Sequence, residues 1–290
     1  MTATDHDAPA SLSGPPRALI VTVYGLYARE VGGWLSVSSL IKLLAELGVD
    51  EQSLRSSISR LKRRGLLVAE RRGGKAGYAL SSHARSMLAT GDRRIFQREA
   101  IADGGNGGWV VAVFSVPESE RQRRHQLRSR LSWLGFGTVS SGVWVAPAHA
   151  LDDAREHLAR DGLQHYVDLF RGDYVAFGDP AELVSQWWDL DAIQQLYDEF
   201  VANFAPSAGR WSARAGNGGG DSADHDRDAF VDYVRALTAW RRFPYLDPGL
   251  PAMLLPASWS GSVAADLFFE LRRLLTGPAH RFATSILAEE

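Results

Sequence analysis

Within residues 51–64 the apolar side chains Leu54, Ile58 and Leu61 recur at i, i+4 and i+7, one buried stripe on a helix of about four turns. Asp50 is suited to cap its start, because a carboxylate can accept from the free N–H groups of the first turn, and Gly65 suits the left-handed residue that ends it. The segment from Trp34 to Asp50 reads as an earlier helix and a turn. After Gly65 two apolar arms flank RRGGKAG (71–77), where glycines supply the positive φ of a hairpin tip and Arg71, Arg72 and Lys75 ring it. Helix, turn, helix and hairpin in that order predict a winged helix-turn-helix over 17–90, whose first helix buries Leu19, Ile20, Val23, Leu26 and Tyr27.

Beyond a linker at 91–108 that ends in DGGNGG, the pattern changes period. WVVAVFSV (109–116) is a continuous apolar run expected of a buried strand, and Ser115 with Glu118 has capping-box spacing before a helix to about Trp133. GVWVAP (142–147) predicts a second strand, 150–161 a helix, and HYVDLF (165–170) and DYVAFG (173–178) further strands. This alternation suggests a ferredoxin-like domain over 109–178. From 179 to 290 the periodicity is helical, interrupted by APSAGRWSARAGNGGGDSADHD (205–226), whose Gly, Ser and Asp content predicts a mobile loop. The expected class is α+β: an N-terminal winged helix-turn-helix, a central ferredoxin-like domain and a C-terminal mostly helical domain, with residues 1–16 a disordered arm.

Charge sharpens the picture. The chain carries formal net charge −2, yet residues 51–75 hold eight basic and two acidic side chains, net +6, which leaves −8 for the remainder. A basic block in an acidic protein implies a local polyanionic partner, whereas an isolated charge run is usually a solvated face. Coming with the helix order and the hairpin, the block points to double-stranded DNA. Arg55, Ser56, Ser59 and Arg60 are candidates for base edges, Arg63, Arg71, Arg72 and Lys75 for phosphates, and Lys62 is a further DNA-contact candidate. The run ERQRRHQLRSR (120–130), which includes His125, reads instead as a helix face that is solvated or pairs with a neighbouring domain. With 45% hydrophobic residues the chain has ample material for packed cores, and the absence of cysteine excludes disulfides and thiolate metal sites. No apolar run approaches a membrane span, and MTATDHDAPASLSGPP lacks the basic start and apolar core of a signal peptide, so a cytoplasmic protein is expected.

Four blocks carry a resemblance. PRALIVTVYGLYARE (16–30), LIKLLAELGVDEQSLRSSISRLKRRGLL (40–67), LRSRLSWLGFGTVSSGVWVAP (127–147) and RRFPYLDPGLPAMLLPASWSG (241–261) are similar, in that order, to the PaaX family of bacterial repressors, whose best-known members control phenylacetic acid degradation. The basic, serine-lined helix face is expected to act in a homodimer on an inverted-repeat operator, and the resemblance implies release by phenylacetyl-coenzyme A or a related aryl-CoA. It also implies a likeness between the central domain and the small ferredoxin-like nucleases of CRISPR spacer acquisition, which hold a catalytic metal with an Asp at the end of the first strand. Here that place falls in Phe114-Ser115-Val116, and a hydroxyl cannot replace an anionic ligand for a hard divalent cation. No catalytic residues, metal or cofactor are therefore expected.

Other chemistry is absent from the sequence: neither Gly216-Asn217-Gly218 nor Gly135-Phe136-Gly137 follows a strand as a dinucleotide fingerprint must, and there is no G-x-S-x-G elbow. The remaining dense cluster is C-terminal, where Trp187, Trp188, Trp240, Tyr245 and Trp259 accompany Arg241, Arg242 and Asp247. Aromatics at helical spacing most often form core. An aryl-CoA, however, needs an apolar slot and cations for its phosphates, so Trp240, Arg241, Arg242 and Tyr245 are the candidate effector contacts. Two functional classes stay open: an aryl-CoA-responsive repressor, and a DNA-binding protein whose central domain is a nuclease or purely architectural.

Overall fold

The computed structural model describes residues 14–96, 108–175, 177, 179–216 and 222–288. The chain folds as two compact units, one formed by Met1–Phe96, Phe200–Arg241 and Val263–Glu290 and the other by Gln97–Glu199 and Arg242–Ser262. The expected C-terminal domain of 179–290 is thus shared between them. The arm expected at 1–16 and the linker at 91–108 fall largely outside the described residues, although helix α1 already begins at Pro16 and helix α4 persists to Phe96.

In the first unit α1 (Pro16–Val23) continues through a π turn, Tyr24–Ala28, and a 3₁₀ turn, Arg29–Val31. It buries Leu19, Ile20, Val23 and Tyr27 as the spacing predicts, with Leu26 half-buried. A short strand β1 (Trp34–Ser36), too brief to show in the hydropathy pattern, leads into α2 (Val37–Glu46) and then α3 (Glu51–Arg63). Strands β2 (Leu67–Arg72) and β3 (Lys75–Leu80) form the expected hairpin, paired Leu67↔Leu80 through Arg72↔Lys75. With β1 they make an antiparallel sheet in the order β1-β3-β2. Both tip residues, Gly73 at φ 54° and Gly74 at φ 81°, take the left-handed region that a two-residue hairpin requires. Helix α4 (Ser82–Phe96) follows.

The same unit is completed by helices from the end of the chain. The tilted rings of Phe230 and Tyr27 lie 5.6 Å apart, the Thr238 hydroxyl donates to that of Thr22 at 2.8 Å, and Arg241 donates to the Ala18 carbonyl at 3.3 Å. These contacts seat α9 (Ala223–Trp240) on α1. The segment expected as a loop at 205–226 is mostly helical: α8 (Leu190–Gly216) runs through Pro206, and α9 starts at Ala223. Proline removes one backbone donor, but tertiary bonds hold the helix beyond it. Ser207 and Trp211 donate to the Asp232 carboxylate at 2.5 and 2.8 Å, and Arg210 pairs with it at 3.4 Å. A Gly- and Ser-rich composition could not reveal those partners.

In the second unit β4 (Trp109–Phe114), α5 (Arg121–Trp133), β5 (Gly137–Ser140), β6 (Val143–Pro147), α6 (Leu151–Arg160) and β7 (Val167–Gly172) build an antiparallel four-stranded sheet in the order β5-β6-β4-β7. The two strand–helix–strand pairs interleave, β4 lying between β6 and β7 and β6 between β5 and β4. Val110, Ala112, Phe114, Trp144 and Ala146 face Leu127, Leu131, Ala154 and Leu158 in one core. On the sheet's other face Trp109 meets Trp187 edge-on and Trp188 stacked, both at the end of α7 (Pro180–Trp187). Three sequence expectations fail here. Strand β5 was not anticipated, because four residues give no usable periodicity. Residues 173–175 of the candidate strand DYVAFG are not strand, the pairing with β4 ending at Gly172. The capping box does not form either: a 3₁₀ turn, Glu118–Glu120, with no side-chain cap intervenes before α5. The chain continues through α10 (Phe243–Leu246) to α11 (Gly261–Ala288).

Candidate nucleic-acid interface

Helix α3 is locally determined at both ends. The Asp50 carboxylate accepts from the Ser53 backbone N–H at 2.9 Å and from the Ser53 hydroxyl at 2.7 Å, and these bonds hold its pKa below the ordinary aspartate value. Arg64 stands at the C-cap and Gly65 follows at φ 69°. Leu54, Ile58 and Leu61, each 5% exposed or less, fix the inward face. The outward face is consequently Arg55, Ser56, Ser59, Arg60, Lys62 and Arg63, all exposed. Arg55 is paired with Glu51 at 2.5 Å, and Ser56 donates to the Ser53 carbonyl at 3.0 Å. An exposed i, i+4 pair contributes only about 0.3–0.5 kcal/mol, so Glu51 does not hold Arg55 back from a stronger acceptor.

The hairpin presents the second cationic group. Arg71 reaches the Gly74 carbonyl across the tip at 2.5 Å, Arg72 pairs with Glu70 at 2.7 Å, and Lys75 stands opposite Arg72 in register. Lys62 lies 5.8 Å from the centre of the Tyr78 ring on β3, which links the helix face to the hairpin. Trp34 is the participant that sequence reading missed. Its indole N–H donates to the Glu70 carbonyl at 3.2 Å and the Arg72 guanidinium lies over its ring at 5.6 Å, so it braces the hairpin from β1. Gly77, opposite Ser36 in register and without a side chain that would collide with this ring, was the available signal.

The nine candidate DNA contacts therefore share one part of one unit and are all surface-accessible or nearly so; Arg72 alone is half-buried. Such a surface offers hydrogen-bond donors and positive charge to a phosphate backbone and to base edges. Among the described residues no group of three or more His, Asp or Glu could hold a metal ion. Ser115 follows the last residue of β4, is exposed, and donates its backbone N–H to the Tyr166 carbonyl at 3.2 Å. Among the described residues, no helix is long and apolar enough to cross a membrane.

The four candidate effector residues are divided between the two units. Trp240 is 2% exposed, stacks on Phe268 at 4.8 Å, and donates its indole N–H to the Ile95 carbonyl at 3.2 Å. It is a core residue of the first unit, where Arg241 also lies. In the second unit Arg242 is exposed, and half-buried Tyr245 lies 5.3 Å from the Trp133 ring. Nearby, the Tyr197 hydroxyl donates to Asp247 at 2.7 Å and the Gly249 N–H donates to its other oxygen at 2.8 Å. Burial raises the pKa of Asp247 despite these bonds, and burial together with the neighbouring carboxylate raises that of Tyr197.

Comparison with known proteins adds three family matches in chain order: a PaaX-like protein family over residues 15–84, the PaaX protein central Cas2-like domain over 103–184, and the PaaX-like protein C-terminal domain over 188–285. The chain is 26% identical over 270 residues to the transcriptional repressor PaaX of Escherichia coli K12, a match covering 92% of this chain and 82% of that one. It shares its fold with the solved structure of an uncharacterized protein from Mycobacterium tuberculosis, at a TM-score of 0.53 and 24% identity over 95% of this chain and 96% of the other. With all three matched segments in order and together spanning most of its length, the chain belongs to the PaaX family.

Proposed function

We propose that the protein is a transcriptional repressor that binds duplex DNA as a homodimer on an inverted repeat. Residues 17–90 act in this reading as a winged helix-turn-helix, each protomer laying α3 in a major groove with the β2–β3 hairpin on the adjacent backbone. The carrying observation is the outward face of α3, whose Arg55, Ser56, Ser59, Arg60, Lys62 and Arg63 offer hydroxyl donors and cations, with the cationic hairpin tip in the same unit. The name of the Escherichia coli relative supports the repressor assignment. The central unit is read as a ferredoxin-like domain without nuclease activity, because Ser115 stands at the end of the first strand where a metal-binding carboxylate would be needed.

The effector in this reading is an aryl-CoA such as phenylacetyl-CoA, and the regulated genes are a phenylacetate-type catabolic operon. Arg242 and Tyr245 are the contacts retained for it: the first supplies a cation for phosphate, the second an aromatic surface beside Trp133. Arg241 orders the neighbouring turn through Ala18, and Trp240 serves by packing. Fluorescence anisotropy on duplexes from upstream of the protein's own gene, with and without phenylacetyl-CoA, free phenylacetate and acetyl-CoA, tests both halves. A ligand that weakens operator binding a hundredfold must bind the DNA-free state about 2.7 kcal/mol more tightly than the complex. Binding of no duplex would remove the DNA reading; operator binding that none of the three ligands changes would remove only the effector.

A further inference from the structure

Helix α5 carries five arginines and no acidic residue from Arg121 to Trp133. Leu127 and Leu131 bury one side of it, with Leu134 just beyond its end. Three of the arginines are bonded inside the unit, the first of them Arg123, which donates to the Gln126 side-chain carbonyl at 3.2 Å. Arg124 bonds to Glu118 at 2.9 Å and to the Val116 carbonyl at 2.8 Å, and Arg130 pairs with Asp161. The opposite stripe, at i, i+4, i+7 and i+11, is Arg121, His125, Arg128 and Ser132, with Gln122 and Ser129 beside it, and every one of these is exposed. Among the described residues no carboxylate pairs with Arg121 or Arg128. The nearby Glu118, Glu120 and Asp161 are engaged by Arg124, Tyr166 and Arg130. Arg128 lies over the Trp144 ring at 5.9 Å, a contact that orients a guanidinium without neutralising it.

Sequence alone reads this run as solvated or paired with a neighbouring domain. Pairing accounts for only Arg124 and Arg130, both on the flank. We propose that the Arg121–Ser132 stripe is a second DNA-contact surface, separate from α3 and the hairpin, that binds the phosphate backbone of double-stranded DNA without reading bases. This rests on the proposed DNA-binding function.

The chemistry favours that partner. Arginines seven residues apart on a helix stand about 10 Å apart along its axis, three steps of a DNA strand at about 3.4 Å each. Interspersed Ser, Gln and His donors suit phosphate and sugar oxygens. A membrane surface is disfavoured because the stripe has no Trp, Phe or Leu to enter the headgroup region. In a chain of net charge −2, cations without carboxylate partners on a second unit extend the polyanion footprint beyond residues 51–75.

The test is salt-dependent anisotropy on the full-length protein, comparing wild type, Arg121→Gln and the double variant Arg121→Gln, Arg128→Gln on operator, scrambled DNA and an RNA duplex. Each lost phosphate contact lowers the slope of log affinity against log salt by about 0.9. The double variant is therefore expected to lose about 1.8, shrinking its 50-to-200 mM affinity ratio about tenfold, equally on operator and scrambled DNA. Arg121→Gln, which disturbs no internal contact, should lose about half of that with an unchanged melting temperature. Wild-type slopes for both variants on DNA would overturn the proposal, as would a loss confined to operator or seen only on RNA. Failure of wild type to bind any duplex would instead overturn the DNA function on which it rests.

Discussion

Gly77 lies against the indole of Trp34: a Cβ added there would come within 2.5 Å of two ring carbons and 2.4 Å of the Leu35 carbonyl oxygen. Substituting alanine forces the ring off the hairpin or the strands apart. Gly77→Ala should cost about 1–3 kcal/mol, a fall of several degrees in melting temperature by calorimetry. Because Trp34 also braces Arg72, DNA affinity should fall by more than the loss of folded protein explains.

The hairpin tip is expected to act on phosphates. The triple variant Arg71→Ala, Arg72→Ala, Lys75→Ala should lower the salt slope by about 2.7, three contacts at about 0.9 each, and weaken operator and scrambled DNA alike. A variant with wild-type slope and affinity would show that the hairpin does not touch DNA.

The face of α3 should behave differently. Arg60→Ala removes an exposed side chain and no contact of the fold described above, so stability should hold while operator affinity drops by about 1–3 kcal/mol and discrimination relaxes at one base-pair position. Titration against operators substituted one position at a time measures this. Equal losses on every sequence would reassign Arg60 to the backbone.

Asp50 gives α3 a pH signature. Its folded pKa is depressed, so the stability its cap supplies is present above the ordinary aspartate range and disappears as pH falls through the lowered value. The gap in melting temperature between wild type and Asp50→Ala should be widest near neutrality and close on acidification. A gap independent of pH would mean that the carboxylate charge is immaterial to the cap.

Asp247 has the opposite sign. Burial raises its folded pKa, so between the ordinary aspartate value and the raised one the folded protein holds the extra proton and stability declines as pH rises. Asp247→Asn keeps an acceptor for the Tyr197 hydroxyl and should flatten that decline. Denaturant midpoints across the acidic range decide it, and parallel curves for the two proteins would refute the assignment.

What could be read from sequence divides by the range of the interactions. The bounds of α3, its buried stripe and the two-glycine hairpin tip depend on residues a few positions apart, and Asp50, Gly65, Gly73 and Gly74 report them directly. The helix through Pro206 depends on Asp232, more than twenty residues on, and composition alone predicted a loop. Trp240 was a candidate ligand contact for the same reason. An indole stacked on Phe268 and one lining an acyl slot have the same local sequence, and only the fold brings the distant phenylalanine to it. Within the DNA-contact candidates, charge and period identified every cation on α3 and the hairpin except Arg64 at the C-cap, whereas Trp34, acting through its ring and one N–H, left no charge to notice.

The seating of α9 on α1 has a consequence during synthesis. A ribosome that has emitted only the first ninety-six residues has delivered every candidate DNA contact on α3 and the hairpin, but the faces around Tyr27 and Thr22 still await Phe230 and Thr238. Helix α3 is made early and its support late. Prematurely terminated chains consequently carry an exposed apolar flank, the kind of surface that favours proteolysis and misassembly.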